Sequence, residues 1–172
     1  MRGIRYSVAM SLDGYIAGPN GEDDWIVMDP DIDFEQLFGR FDTLIMGRHS
    51  YEVAKQKNRP IGMAGMETFV ISRTLKPEEH PGIDIISENA EERLAELKEQ
   101  AGKDIWLFGG GSLFSSLLNA KLVDSVQTAV VPILLGGGIP AVPPPIQQTG
   151  LKLASHRLYD KTGIVLVEYD IT

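Results

Sequence analysis

Residues 105–120 constrain the fold of this 172-residue chain more than any other segment. The segment begins with a four-residue apolar run, continues through Gly109-Gly110-Gly111 and ends in apolar residues that recur at one-turn helical spacing. Such a strand–glycine–helix unit predicts a corner where free helix N–H groups bind an anion, because glycine lets the backbone approach a phosphate closely. Three glycines can also make a tight turn and nothing more, so other segments must decide between the two interpretations.

Composition excludes several classes of protein. The chain has 16 Lys and Arg against 24 Asp and Glu, which gives a net charge of −8. An acidic chain without a basic block is unsuited to nucleic acid or to an anionic membrane surface. Without cysteine, and with histidines that lack partners at ligand spacing, no metal site is predicted. No apolar run reaches the roughly 20 residues of a membrane helix and no signal peptide is recognisable, so we expect a cytoplasmic protein.

Strand and helix patterns alternate along most of the chain. Strands are predicted at residues 4–10, 43–46, 68–71, 83–86, 105–108 and 125–133, and a terminal hairpin at residues 151–159 and 163–171. Helices are predicted near Phe34, after Gly47, at residues 90–101 and after Gly111, the first of them capped by Asp29-Pro30. This order predicts one three-layer α/β domain over residues 1–172, with a mostly parallel central sheet and a C-terminal antiparallel hairpin.

Three predicted strand ends carry groups that suit a phosphate. They are Gly47-Arg48-His49-Ser50, Ser72-Arg73 and the glycine corner with Ser112. Since the carboxyl ends of parallel strands meet at one edge of a sheet, we expect these groups to lie close together. The corner is neither a G-x-G-x-x-G fingerprint, which needs a further glycine, nor a P-loop, since Asp104 follows Gly102-Lys103.

The order and spacing of these segments resemble the dihydrofolate reductase-like superfamily. Gly47-Arg48-His49-Ser50-Tyr51-Glu52 is similar to its G-R-[HKR]-[ST]-[WY]-E motif, and Phe108-Gly109-Gly110-Gly111 with Phe114 to its I-G-G-G-x-x-[YF] motif. The resemblance implies NADPH as cofactor, with two guanidiniums for its 2′-phosphate. Trp25 and Trp106 are expected near the cofactor edge. The cofactor contacts that it implies are Ala9, Ile16, Gly47, Arg48, His49, Ser50, Ser72, Arg73, Gly109, Gly110, Gly111, Ser112 and Leu113.

The substrate side of the resemblance is less complete. It implies an acidic proton donor at the start of the first helix, which is Asp31 acting directly or through a water that it holds with Thr128. Counting from Trp25 shifts the alignment by one residue, so Asp29 and Asp33 remain alternatives. The arginine that grips a folate tail is replaced near Met66, so dihydrofolate is not the expected substrate.

Two further segments, residues 11–17 and 132–138, resemble the reductase domain of riboflavin biosynthesis and its stand-alone relatives. The chain has no H-x-E or C-x-x-C deaminase sequence, so a stand-alone relative is expected. The resemblance implies an NADPH-dependent reductase that transfers hydride to a C=N or C=O group of a small heterocyclic or sugar-like substrate, in a homodimer. The alternatives are reduction of the riboflavin-pathway pyrimidine itself, or an NADP-binding module without catalysis. Asp13 is a turn residue or a substrate-binding acid, and residues 18–33 form a loop that could close over the site.

Overall fold

The computed structural model describes residues 1–61 and 65–172. Within these ranges the strands are β1 (Ile4–Ser11), β2 (Tyr15–Ala17), β3 (Phe41–Gly47), β4 (Glu67–Ile71), β5 (Asp84–Ile86), β6 (Asp104–Gly109), β7 (Ser125–Val131), β8 (Ile139–Pro140), β9 (Leu151–Tyr159) and β10 (Ile164–Ile171). The helices are α1 (Phe34–Phe38), α2 (Arg48–Gln56), α3 (Ala90–Glu99) and α4 (Gly111–Asn119). In these ranges no helix has the length and apolar character needed to cross a membrane.

Eight strands form one sheet in the order β5-β4-β3-β6-β1-β7-β10-β9. The first six run parallel to one another, β10 runs antiparallel to β7, and β9 runs antiparallel to β10. Strands β2 and β8 pair with each other outside this sheet. The predicted three-layer α/β fold, with its parallel centre and antiparallel edge, is confirmed.

Side chains alternate between two faces of the sheet, and each face packs against its own helices. On the α4 face, Tyr6 stacks on Phe114 of α4 with ring centroids 4.1 Å apart, and Leu94 of α3 joins the same core. On the α1 face, Trp106 packs against Phe38 of α1 in a cluster that also contains residues of α2. The two clusters give the domain its helix–sheet–helix layers, since each face of the sheet must bury its apolar side chains.

The predicted cap of α1 is wrong. The helix begins at Phe34, and Asp33 is its N-cap, because the Asp33 carboxylate accepts a hydrogen bond of 2.9 Å from the backbone N–H of Gln36. Asp29 is buried instead, and it accepts hydrogen bonds from the backbone N–H and the hydroxyl of Thr162 at 3.0 and 2.7 Å. The sequence gives no sign of this contact, since 133 residues separate its partners.

Candidate functional site

Strand register brings the three predicted corners to one edge of the sheet. Strand β3 lies between β4 and β6, and its last residue, Gly47, pairs with Ile71, the residue before Ser72. On the other side, Met46 pairs with Gly109. Adjacent strands lie about 4.8 Å apart, so the loops that follow these strands start as neighbours. The predicted convergence of the corners is therefore present in the backbone itself.

The N-termini of α2 and α4 face each other across this edge. A Cβ atom on Gly47 would lie 3.9 Å from Gly109 O, Gly110 N and the Cβ of Leu113, and one on Gly110 would lie 3.4 Å from the Ser50 hydroxyl. Gly109 has a φ of 131°, which side chains rarely tolerate. Neither nine-residue helix has an acidic residue in its first turn, so the positive ends of both helix dipoles remain available to an anion.

A hydroxyl-rich turn lies beside this pair of helix ends. The Ser72 hydroxyl is buried and accepts hydrogen bonds from Thr74 N at 3.2 Å and Leu75 N at 3.1 Å. Arg48 extends from α2 and donates to the Thr74 hydroxyl at 3.1 Å, while Arg73 is exposed beside it. Thr74 is not among the predicted cofactor contacts, although its position two residues after Ser72 is typical of a side-chain turn. The turn and α2 thus place the guanidiniums of Arg48 and Arg73 near the hydroxyls of Ser72 and Thr74 and near the backbone amides of the turn.

The other predicted contacts of this corner lie in and around the first helical turns. His49 and Ser112 are exposed in the first turns of α2 and α4, and Leu113 is half-buried between the two helix ends. The structure therefore brings together the following predicted residues: Gly47, Arg48, His49, Ser50, Ser72, Arg73, Gly109, Gly110, Gly111, Ser112 and Leu113.

A cleft opens between β1 and β6 next to the glycine corner. The two strands pair only from Ile4 to Tyr6, whereas β1 continues to pair with β7 as far as Ser11. Past that point the Trp106 indole N–H donates to Ser7 O at 3.1 Å and connects the two strands. Ala9 lies on β1 along the cleft, and Phe108, 40% exposed, lies on β6.

The remaining predicted residues lie on separate elements. Ile16 is on β2, the short strand that pairs with β8. Trp106 is buried against Phe38, and Trp25 packs on the separate cluster of Val131, Tyr159 and Ile164. Of the two tryptophans expected at the cofactor edge, Trp106 borders the cleft and Trp25 lies away from it.

The structure does not bring the two predicted catalytic residues together. Thr128 pairs with Val8 on β7, and this places its side chain on the α4 face of the sheet, whereas Asp31 precedes α1 on the opposite face. The Asp31 carboxylate pairs with Lys161 at 2.7 Å, and this contact raises the pKa of Lys161. The prediction that Asp31 and Thr128 share one water is wrong in this arrangement, because alternation along β7 turns the threonine away.

Residues 18–33, named here the strap, are fixed at both ends. Near its start, the Asp23 carboxylate binds Arg59 and, at 3.1 Å, Lys57, just past α2. The hydrogen bond from Arg59 is the main reason that the pKa of Asp23 is below its ordinary value. Near its end, burial would raise the pKa of Asp29, but hydrogen bonds from Asp31 and Thr162 outweigh burial and lower it. The strap therefore runs from α2 to the β9–β10 turn as a tethered segment.

Asp13 has a structural partner in the second glycine run. Its carboxylate accepts hydrogen bonds from Leu135 N at 3.1 Å and Gly136 N at 2.8 Å. A hydrogen bond from Ser11, together with these two, holds the pKa of Asp13 below its ordinary value. Asp13 thus ties the β1–β2 turn to the β7–β8 loop, which agrees with the predicted turn.

The proline-rich segment after β8 covers the first turn of α4. A Cβ atom on Gly111 would lie 2.6 Å from Pro143 Cδ, 2.7 Å from Pro140 O and 2.8 Å from Ala141 O. The Ser115 hydroxyl donates to Pro143 O at 2.7 Å and fixes the same segment. Gly111 is therefore needed for this close approach as well as for the corner, and no other residue would fit without movement.

Comparison with known proteins agrees with this geometry. The model of the RibD C-terminal domain family matches residues 2–166. The Bacillus subtilis protein YyaP is 35% identical, with 98% of this chain and 94% of YyaP aligned. The riboflavin biosynthesis protein RibD of Corynebacterium ammoniagenes is 30% identical over 88% of this chain, which corresponds to 49% of that longer protein.

Solved structures show the same fold. A protein from Shewanella sp. PV-4 superposes with a TM-score of 0.84 at 23% identity, covering 99% of each chain. Dihydrofolate reductase from Enterococcus faecalis, in complex with NADP(H), superposes with a TM-score of 0.68 at 18% identity, covering 98% of this chain and 94% of the enzyme. The chain therefore belongs to the RibD C-terminal domain family and has the dihydrofolate reductase-like fold.

Proposed function

We propose that this protein is an NADPH-dependent reductase that transfers hydride to a C=N or C=O group of a small heterocyclic or sugar-like substrate. The observation that carries the proposal is the meeting of two helix N-termini with the Arg48–Thr74 turn beside the β1–β6 cleft. Helix N-termini with glycines suit a pyrophosphate, and guanidiniums suit a dianionic phosphate. Family membership supports the reductase class.

The residues of this edge fit the cofactor that we propose. A Cβ atom on Gly110 would fill the space in front of the Ser50 hydroxyl, so the corner leaves room for a pyrophosphate where a side chain would otherwise stand. Arg48, Arg73 and Thr74 would hold the 2′-phosphate, and Ala9 and Ile16 would flank the nicotinamide. NADPH supplies the hydride when bound, and the protein orients it against the substrate and excludes water.

Three acids near α1 are the candidates for the proton donor. Asp29 and Asp33 are engaged in the strap and in the α1 cap, so Asp31 remains the candidate among the three acids. Its carboxylate is exposed and paired with Lys161, and that ion pair must open before Asp31 can deliver a proton directly or through water. Thr128 lies on the opposite face of the sheet and has no role in this proton transfer.

Cofactor titration tests the proposal. We expect micromolar binding of NADPH and much weaker binding of NADH, followed by fluorescence of Trp106. The double variant Arg48→Ala/Arg73→Ala should lose at least tenfold in NADPH affinity and keep its NADH affinity, because charge-assisted contacts to the 2′-phosphate are worth about 1.5–3 kcal/mol. Arg93→Ala, in an exposed arginine on α3, is the matched control. Failure of both cofactors to bind, or equal NADPH affinity in the double variant, contradicts the proposal.

A narrower activity is the second candidate. Similarity to the RibD protein of Corynebacterium ammoniagenes favours reduction of the riboflavin-pathway pyrimidine. Complementation of an auxotroph that lacks this reductase would support it, and failure of a well-expressed protein to complement would exclude it. An NADP-binding module without catalysis would instead bind NADPH tightly and consume none of it with any member of a substrate panel.

We also propose that a second copy of this chain covers the α4 face of strands β7, β10 and β9. Eight of the nine residues of β9 are exposed, and Leu151, Leu153 and Leu158 are each at least half exposed at the edge of the sheet. A face that is apolar and uncovered needs a second layer, and two identical faces related by a two-fold axis are self-complementary.

Molar mass in solution tests the dimer. Light scattering should give a dimer for the wild type and a monomer for Leu153→Glu/Leu158→Glu. Leu134→Glu, at a leucine 70% exposed in the β7–β8 loop, should remain dimeric. A monomeric wild type at micromolar concentration contradicts the proposal.

A further inference from the structure

A cavity of about 380 Å³ lies between α1 and the sheet, away from the glycine corners. Leu37 of α1 forms part of its roof, and Gln127 of β7, Leu166 of β10 and Tyr159 of β9 form part of its floor. The volume is that of a small-molecule site, and Leu37, Leu166 and Tyr159 provide an apolar surface within a lining that is otherwise polar or charged. The α1 cavity, as we name it, is used by none of the residues that the cofactor proposal invokes.

Two carboxylates line the α1 cavity and both already have partners: Asp33 caps the first turn of α1, and Glu168 pairs with two arginines. Glu168 is buried and accepts hydrogen bonds from Arg5 at 2.7 Å and Arg40 at 2.9 Å. A further long contact of 3.4 Å comes from the Ser155 hydroxyl. Because two guanidiniums already occupy it, this carboxylate has little capacity left for a ligand that donates hydrogen bonds.

The donors of the α1 cavity have capacity to spare. Gln127 is 4% exposed and its amide oxygen accepts from the Ser7 hydroxyl at 2.8 Å, which leaves its NH2 group without a partner among the described residues. Arg157 lies over the Tyr159 ring at 4.7 Å, and its one hydrogen bond, to Asp31 O, is long at 3.4 Å. A cavity with a small apolar surface beside unused donors suits a ligand with an apolar body and a hydrogen-bond acceptor, most of all a carboxylate.

The α1 cavity adjoins the position proposed for hydride transfer. Ser7 pairs with Gln127 and Ala9 pairs with Ala129, so the two pairs are consecutive on the α1 face of β1 and β7. Two residues along a strand span about 6.6 Å, which a small molecule can bridge. A substrate that reacts next to Ala9 can therefore extend an arm into the cavity.

We propose that the α1 cavity binds an apolar, carboxylate-ended arm of the substrate, with Arg157 and Gln127 as the carboxylate's anchors. Assignment of the ligand as a substrate rests on the proposed reductase function. The binding chemistry rests only on the cavity. The anchors act by different means: Arg157 supplies a guanidinium that can pair with both carboxylate oxygens, and Gln127 supplies a neutral donor that orients them.

Calorimetry with a pair of probes of equal shape tests this site. We expect 3-phenylpropionate to bind saturably and 3-phenylpropanamide, which lacks the charge, to bind at least tenfold more weakly. Arg157→Gln should weaken phenylpropionate binding at least tenfold, and Gln127→Leu should weaken it severalfold. Arg93→Gln, which removes an exposed arginine far from the cavity, should leave the affinity unchanged.

Titration of NADPH into the same samples distinguishes a failure of the carboxylate site from a failure of the reductase proposal. Absence of saturable phenylpropionate binding to the wild type, or equal affinity in Arg157→Gln, overturns the carboxylate site even where NADPH binds normally. Phenylpropionate binding that depends on Arg157 in a protein that does not bind NADPH would support the site and overturn the reductase assignment.

Discussion

Backbone groups form one side of the cleft, and side chains form the other. The proposed cofactor side consists of backbone at the ends of β3, β4 and β6, where register pairs Gly47 with Ile71 and Met46 with Gly109. The proposed substrate side consists of side chains from the strap, α1 and the β9–β10 hairpin, such as the Asp29–Thr162 contact. Backbone sites follow from strand order, whereas side-chain sites depend on contacts between distant parts of the chain.

Gly111→Ala breaks the cofactor side and should have the largest effect. Although alanine is the better helix former by about 1 kcal/mol, its Cβ would meet Pro143 and two carbonyl oxygens at less than 3 Å. Overpacking of this kind should cost about 3 kcal/mol of unfolding free energy, measured by urea denaturation, and reduce NADPH affinity as α4 shifts.

Gly137→Ala is the matched control. It lies in the second glycine run, where a Cβ atom would have no neighbour within 4 Å, so the change should stay within about 0.5 kcal/mol. Equal losses in the two variants would show that the proline segment does not constrain the corner.

Glu168→Gln tests the polar floor of the substrate side. It leaves Arg40 without a charged partner and Arg5 with Asp104 alone, and we expect a loss of about 2 kcal/mol at pH 7, reduced by the partial exposure of both arginines. Burial would raise the pKa of Glu168, but Arg40 and Arg5 outweigh it and the pKa is lowered. The stabilisation is therefore complete above the ordinary glutamate range and is lost as the pH falls through the depressed pKa.

Urea denaturation at several pH values checks this sign. The difference between wild type and Glu168→Gln should shrink as the medium becomes acidic. Glu96→Gln, which removes an exposed partner of Arg93, should differ little from wild type at any pH. A difference that grows in acid would contradict the assignment of Glu168 as an ionised partner of the two arginines.

The same contrast explains how much could be predicted from the sequence. The glycine corner, the Gly47-Arg48 corner and the terminal hairpin follow from local patterns, and the sheet places them as expected. The cap of α1 could not be predicted, because the Asp29 carboxylate binds Thr162 in the β9–β10 turn instead of capping the helix. The orientation of Thr128 could not be predicted either, because it depends on which face of β7 is turned towards α1. Local patterns give no information on either.

Asp23→Asn probes one tether of the strap and should have a smaller effect. The ion pairs with Arg59 and Lys57 are partly exposed, so we expect about 1 kcal/mol or less. The main readout is amide hydrogen exchange over residues 18–28, which should become faster. Asp24→Asn, at the exposed neighbouring carboxylate, should leave exchange unchanged. Unchanged exchange in Asp23→Asn would mean that the strap is fixed by its apolar contacts, such as that of Trp25.

Asp31→Asn should have the smallest effect on stability, and it tests whether Asp31 is the proton donor. Its pair with Lys161 is more than half exposed on both sides, so the unfolding free energy should stay close to that of the wild type, and NADPH affinity should not change. If Asp31 delivers the proton, turnover of any substrate that the wild type reduces should fall about 100-fold or more. Asp160→Asn, in the exposed β9–β10 turn, controls for a change of charge near Lys161. Turnover that matches wild type across the pH range would exclude Asp31 as donor. Since Asp29 and Asp33 are held by Thr162 and by the first turn of α1, a bound water would then be the proton source.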